Sequence, residues 1–172
     1  MVEIIQANAT HTELIVAIGT QAFRESHGHS ASKEDIDDYI SKTYNTDKIL
    51  KEFDHRNVHY HLIYSDGSIA GFSKIELHTE NENINASALT KLDRIYLLEA
   101  FHGKKLGVQL FQYNIELSKK QNQNGIWLAV WTENQKAVTF YKKMGFKIVG
   151  AFDFKISETH KNPNHIMYLE YK

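Results

Sequence analysis

IWLAVWTENQKAVTFYKKMGF, running from Ile126 to Phe146, divides into three pieces. Ile126–Trp131 is an apolar run of strand length, Thr132–Asn134 is polar, and Gln135–Met144 has helical spacing. Gly145 follows, suited to the left-handed position just past a helix end. A second strand-to-helix junction lies upstream. There Phe101-His102-Gly103-Lys104-Lys105-Leu106-Gly107 separates the apolar stretch Ala88–Leu98 from an amphipathic helix expected over Lys104–Lys120. Two such junctions side by side in one sheet can hold an extended anionic ligand. One would offer backbone N–H groups, the other an asparagine and a tyrosine.

The remaining pattern supplies the sheet and its cover. Val2–Ala7 reads as a first strand. Thr10 with Glu13 forms a capping-box pattern, and Leu14, Ile15, Ile18, Ala22 and Phe23 recur at helical spacing over residues 11–25. Ser32 caps a second helix, and Asn45 or Thr46 starts a third. From Val58 the period changes to two, Asp66-Gly67 marks a hairpin, and Ile69–Leu77 returns. Phe146–Phe154 and His165–Tyr171 read as two last strands joined by a wide loop. The order predicts a mixed α/β sheet flanked by helices, parallel near the two junctions.

Composition narrows the function classes. A chain of 172 residues fits one domain, residues 1–172, and 42% hydrophobic content suits a packed core. The net charge of −1 disfavours a nucleic-acid binder. There is no cysteine, hence no disulfide, thiolate nucleophile or cysteine metal site. No window approaches the ~18 apolar residues of a membrane span, and the first residues lack the basic start of a signal peptide. The expectation is a cytoplasmic protein without nucleic-acid or membrane partners; exposed terminal strands would suit a homodimer.

Gly103 and Gly107 free the backbone beside a helix N-terminus, and Lys104 and Lys105 place cations where only a nearby anion makes them favourable. A pyrophosphate is therefore a reasonable guest. The alternative is a simple turn at Gly103 with solvated lysines.

The two junctions resemble the motifs of the GNAT acetyltransferase superfamily. The first is similar to the acyl-CoA loop, R/Q-x-x-G-x-G/A, with His102 in the Arg/Gln place, Lys105 in that of the first glycine and Gly107 in that of the second. A side chain at Lys105 makes a left-handed backbone costly there. The second, Trp131-x-x-Asn134-x-x-Ala137-x-x-x-Tyr141-x-x-x-Gly145-Phe146, matches without a gap. The likeness extends to PaiA-type polyamine N-acetyltransferases through Asp93-Arg94-Ile95-Tyr96, Phe140–Phe146 and Tyr44-Asn45-Thr46.

The resemblance implies a single-domain GNAT-like fold with a mostly antiparallel twisted sheet and a parallel central pair. It implies acetyl-CoA as acyl donor, no metal, and a small amine acceptor such as spermidine or spermine. Cofactor contacts fall to Leu97, Leu98, His102, Gly103, Lys104, Lys105, Leu106, Gly107, Asn134 and Ala137. Tyr141 would protonate the departing thiolate. Asp93 is the candidate base, expected on the strand face of Ile95 and Leu97; an ion pair with Lys91 or Arg94 is the competing reading. Glu34, Asp35, Asp37 and Asp38 could attract a polycation, or merely stabilise a helix start.

Ten histidines include the close pairs His27/His29 and His59/His61. Zinc needs three or four placed ligands, so solvated or core histidines are the expectation. Two other readings keep part of the pattern: an acetyltransferase for protein N-termini or lysines, and a non-catalytic acyl-CoA-binding module.

Overall fold

The period-two stretch from Val58 becomes the second strand from one edge of a seven-stranded sheet, seen in a computed structural model that describes residues 1–172. The strands are β1 (Val2–Gln6), β2 (Val58–Ser65), β3 (Ser68–Glu76), β4 (Leu89–Leu97), β5 (Gly125–Trp131), β6 (Lys147–Lys155) and β7 (Lys161–Glu170). Their order across the sheet is β1-β2-β3-β4-β5-β7-β6. Only β4 and β5 run parallel. Asp66 and Gly67 both take positive φ, 50° and 79°, which closes the β2–β3 hairpin.

Five helices cover the faces: α1 (Thr12–His27), α2 (Lys33–Thr43), α3 (Thr46–Phe53), α4 (Leu106–Lys120) and α5 (Gln135–Lys143). Ile15, Ile18 and Phe23 of α1, Ile36 and Ile40 of α2 and Ile49 of α3 pack with Tyr60, Leu62 and Phe72 on one face. Phe111 of α4 and Val138 and Tyr141 of α5 pack with Ile75, Leu92, Leu128 and Met167 on the other. No helix is long and apolar enough to cross a membrane.

Several caps follow the sequence. Ser32 Oγ accepts from Asp35 N at 3.1 Å and Asn45 Oδ1 from Lys48 N at 2.9 Å. At the end of α5, Gly145 has φ 99°, and Phe146 N donates to Tyr141 O at 3.1 Å. The first capping box differs from expectation. Asn8 and His11 form it around a short 3-10 turn, while Glu13 accepts instead from Thr46 of α3.

The last hairpin also differs. β7 starts at Lys161, four residues before the expected His165, and only Ile156–His160 separates it from β6. Pro163 is tolerated inside this strand because it lies beyond the end of β5, whose pairing stops at Trp131↔Asn164. Its carbonyl accepts from Thr132 N at 2.9 Å, so the edge lacking an N–H faces the end of β5 rather than a ladder partner.

His59 and His61 stack with ring centroids 6.5 Å apart, and His61 Nδ1 meets Asn114 Oδ1 at 2.9 Å inside the core. Burial pushes the His61 imidazole down from 6.5 to about 4, partly offset by Asn114. A histidine with a lowered folded-state pKa stabilises the fold above its unfolded value, and that contribution is lost as the unfolded chain takes up a proton. Unfolding free energy should therefore fall by roughly 3 kcal/mol as pH drops from about 6.5 to 4. Urea melts at several pH values, with His61→Gln flattening that slope, check it.

Candidate active site

β4 and β5 pair only at Leu89↔Gly125, Thr90↔Ile126 and Lys91↔Trp127. Beyond that point the two strands splay. β4 continues against β3 and β5 against β7, so their facing edges border a cleft of about 860 Å³. Both informative junctions open onto it: His102, Gly103, Lys105, Leu106 and Gly107 from one side, Asn134, Ala137 and Tyr141 from the other.

The first junction leaves a run of backbone donors open. None of the N–H groups of residues 103–108 donates to another backbone group. Gly103 has φ 80°, and Lys105 adopts the left-handed conformation, φ 59° and ψ 16°. The side chain thus accepts the backbone cost that its glycine counterpart would avoid, about 1–2 kcal/mol. That conformation also sets α4 to begin at Leu106, two residues after the expected Lys104. Lys104 itself points over the Phe101 ring, 5.1 Å from its centroid, and does not line the cleft.

His102 ties the two junctions together. Lys136 Nζ lies 3.2 Å from its Nδ1, and its Nε2 lies 3.0 Å from Leu97 O. Because an ammonium only donates, this arrangement assigns the ring proton to Nε2 and the hydrogen bond to Leu97 O. Leu98 N donates to Ala70 O at 2.9 Å. Antiparallel alternation then turns the N–H groups of Ile95 and Leu97 away from β3 and into the cleft. Leu98 is not brought there: its carbonyl is also engaged, by Phe101 N.

At the second junction Asn134 caps α5, its Oδ1 accepting from Ala137 N at 3.2 Å. Tyr141 is buried to 7% exposure among Phe111, Phe140 and Phe146. Burial raises its phenol well above the usual value, with Tyr96 adding to the effect. Tyr96, on β4, is itself pushed up to about 12 by burial. Both hydroxyls therefore stay protonated at ordinary pH.

Asp93 departs from its expected face. In the β3–β4 ladder Leu92 pairs with Ile75 and Arg94 with Lys74, so Asp93 is an extra residue in a bulge. The bulge reverses the alternation: Ile95 and Leu97 turn toward α4, while Asp93 stays with Arg94 on the opposite face. There it joins a buried ion cluster. Its carboxylate lies 2.7 Å from Lys91 Nζ, 3.1 Å from Lys74 Nζ and 3.5 Å from Arg94 Nε. Glu52 and Glu76 complete the set through Lys74 and Arg94, and Arg94 donates to Tyr60 Oη at 2.9 Å. Burial alone would raise the Asp93 pKa. Arg94, Lys74 and Lys91 outweigh it and hold the carboxyl well below the usual range.

The acids of α2 lie elsewhere. Glu34, Asp35, Asp37 and Asp38 line a separate surface groove, where Asp37 pairs with Arg24 and Lys33 and Asp38 with Lys42. The cleft instead carries Glu25, whose Oε2 accepts from Glu99 N at 2.9 Å. Sequence reasoning also left unassigned Lys136, Tyr96 and the His27 ring, which lies 5.8 Å from Trp131. Nor did it find Asn162 and Asn164 of β7, which line the cleft beside Phe152 and Phe154. Polar residues alternating around Pro163 were the available signal.

A splayed parallel pair thus has a loop of unpaired N–H groups at its mouth. The chain belongs to the GNAT acetyltransferase family, whose model matches residues 20–146. An uncharacterized N-acetyltransferase from the pepI 3′ region of Lactobacillus delbrueckii subsp. lactis is 30% identical over 145 residues, covering 84% of this chain and 83% of that one. The spermine/spermidine N(1)-acetyltransferase of Bacillus subtilis strain 168 is 29% identical over 120 residues, 67% of this chain and 76% of that one. The crystal structure of PaiA N-acetyltransferase from Thermoplasma acidophilum in complex with coenzyme A shares the fold, with a TM-score of 0.79 at 22% identity over 99% of both chains.

Proposed function

We propose that this protein moves the acetyl group of acetyl-CoA directly to a primary amine. The observation that carries the reading is the run of unpaired N–H groups at residues 103–108, set at the mouth of the β4–β5 split. Those amides and Lys105 would hold the pyrophosphate at the start of α4. The pantetheine arm would then pass between β4 and β5 beside Asn134 and Ala137, and Leu97 N–H would meet the thioester carbonyl oxygen. That line of contacts ends at Tyr141.

The amine nitrogen attacks the acyl carbon, forming the C–N bond as the C–S bond breaks. The electron pair leaves on sulfur, which takes the proton of the Tyr141 hydroxyl. The attacking nitrogen releases its own proton to solvent water, and the Tyr141 phenolate takes one back from solvent, so the protons balance. A phenol raised by burial is a weak acid in water, but a thiolate in the same dry cleft is destabilised by the same cause, which brings the two closer in proton affinity. Asp93 remains ionised and is too weakly basic to be the terminal proton acceptor. Its part in this scheme is to accept a hydrogen bond from the incoming amine or an intervening water.

Polyamines enter as acceptors through the Bacillus subtilis relative. Asp37 and Asp38 of α2 are paired with Arg24, Lys33 and Lys42, and Asp93 is matched by three cations, which leaves Glu25 and Glu99 as the carboxylates that line the cleft without a cation partner. Initial rates of thiol release from acetyl-CoA test the reading, using spermidine, spermine, simple diamines and peptides as acceptors. Amine-dependent release, with N-acetylated product, supports it. Tight acetyl-CoA binding without release across the panel would support a non-catalytic binding module instead.

Gly107 offers a separate check on the loop. A Cβ there would meet only Leu97 Cδ1, at 3.4 Å, so the free protein has room for alanine. Gly107→Ala should raise stability by up to about 1 kcal/mol, because glycine is the poorer helix residue. The same methyl would stand on the cleft wall against the bound phosphates, and KM for acetyl-CoA should rise about tenfold, or about 1.4 kcal/mol of binding. Opposite signs in melting and KM are the expected result.

A further inference from the structure

Asn162 and Asn164 lie two residues apart on β7, so both side chains leave the same face of the strand. Both line the cleft, and both are more than nine-tenths buried, at 3% and 7% exposure. Asn162 Nδ2 and Asn164 Oδ1 nevertheless have no hydrogen-bond partner. Buried amide atoms left unpaired are uncommon in native proteins and ask for an explanation. His160 Nε2, 3.0 Å from Asn162 Oδ1, holds that amide with its Nδ2 as the remaining donor.

The wall around them is apolar. Phe152 and Phe154 stand across the β6–β7 ladder from Asn164 and Asn162, and Trp131 stands across the β5–β7 ladder from Asn164. His27 lies over Trp131, and burial lowers its pKa to about 4, so the ring is neutral. This end of the cleft therefore presents one donor and one acceptor on an uncharged aromatic surface. A polycation finds no free carboxylate among these groups. A carboxamide, with a carbonyl and an N–H of its own, finds both partners.

The proton inventory points the same way. Burial keeps Tyr96 and Tyr141 protonated near pH 7, and neighbouring cations keep Asp93 ionised, so none of the three readily accepts the amine's proton. An acceptor that arrives largely neutral by its own chemistry needs no proton transfer to any of these three. An α-amine beside an amide, with a pKa of about 7.7–8.0, is neutral in roughly one molecule in ten at pH 7. An alkylammonium near 10.4 is neutral in roughly one in a few thousand.

We infer that the preferred acceptor is an α-amine whose neighbouring carbonyl belongs to an amide, as at a peptide N-terminus, with that amide held by Asn162 Nδ2 and Asn164 Oδ1. The inference rests on the acetyl-transfer reading above and uses the same balance of bonds and protons.

The test compares kcat/KM for thiol release at pH 7 with alanyl-alanine amide, an alkylamine of similar size, spermidine, and an N-terminally blocked lysine peptide. The dipeptide amide should exceed the other three by about 100-fold, chiefly through its neutral fraction. Asn162→Leu and Asn164→Leu should each lower the dipeptide value about tenfold, mainly through KM, as expected for a lost hydrogen bond to a buried group. The melting temperature of Asn164→Leu should not fall, since an apolar side chain replaces an unpartnered carbonyl, while Asn162→Leu also loses the contact with His160. Asn164→Asp, nearly isosteric, should shift the preference toward spermidine.

Spermidine outpacing the dipeptide amide in the wild type would overturn the inference and leave acetyl transfer standing. Unchanged acceptor ratios in all three variants would do the same. Absence of thiol release with every amine would remove the acetyl-transfer reading, and the inference with it.

Discussion

Tyr141→Phe should lower kcat by about 10²–10³-fold while leaving the protein at least as stable as the wild type. The two halves of this result come from one fact. The phenol is buried in an aromatic cluster with its hydroxyl at the cleft, and the causes that move its pKa are burial and Tyr96 rather than any hydrogen bond. Removing a buried hydroxyl with no protein partner costs the fold little. Removing the proton it delivers to the departing sulfur costs the reaction its general acid. KM for acetyl-CoA should change little, because the proposed phosphate contacts are at residues 103–108 and not here. Steady-state kinetics and a thermal melt on the same preparation make the comparison. A fall in both kcat and melting temperature would reduce Tyr141 to a core residue.

Asp93→Asn has its largest effect on stability. Lys74 and Arg94 have side chains exposed to only 6% and 10%, and Asp93 is a counter-ion to both. Removing one partner from a buried ion cluster leaves charge uncompensated, and losses of about 3–5 kcal/mol are typical. Adding Lys74→Met should restore part of that stability, because the unmatched cation goes with it. The pH dependence is the second discriminator. A carboxyl whose folded pKa is depressed stabilises the protein above its unfolded value, and that stabilisation is lost as pH falls through the folded one. It therefore titrates well below neutrality. Any rise of kcat/KM between pH 6 and 9 should belong to the acceptor amine and survive in the variant. Full stability with that limb abolished would make Asp93 the proton acceptor after all.

How much of this was legible in the sequence depended on the range of the interaction. The Asn134–Gly145 segment could be read closely because its determinants are local: a cap, a helical spacing and a left-handed glycine. The loop at residues 102–107 was located but not traced, since Lys105 takes a left-handed backbone that its residue type disfavours. Asp93 was assigned to the wrong face because alternation counts every residue, and a bulge is invisible until the partner strand is in place. Its ion cluster draws on Glu52, Lys74, Lys91 and Arg94 from three elements, a pairing no spacing announces. The acids of α2 illustrate the reverse: helix-start composition made them prominent, and the fold turned them away from the cleft. Asn162 and Asn164 were hidden because Pro163 between them reads as loop, until the end of β5 shows why a proline fits there.

The central claim is that the β4–β5 split holds acetyl-CoA with its phosphates on the loop and its sulfur at Tyr141. A crystal structure with coenzyme A bound tests it most directly. The account predicts pyrophosphate oxygens accepting from N–H groups of residues 103–108 and the thiol within hydrogen-bond reach of the Tyr141 hydroxyl. Coenzyme A seated outside the split, or its sulfur directed away from Tyr141, would contradict it.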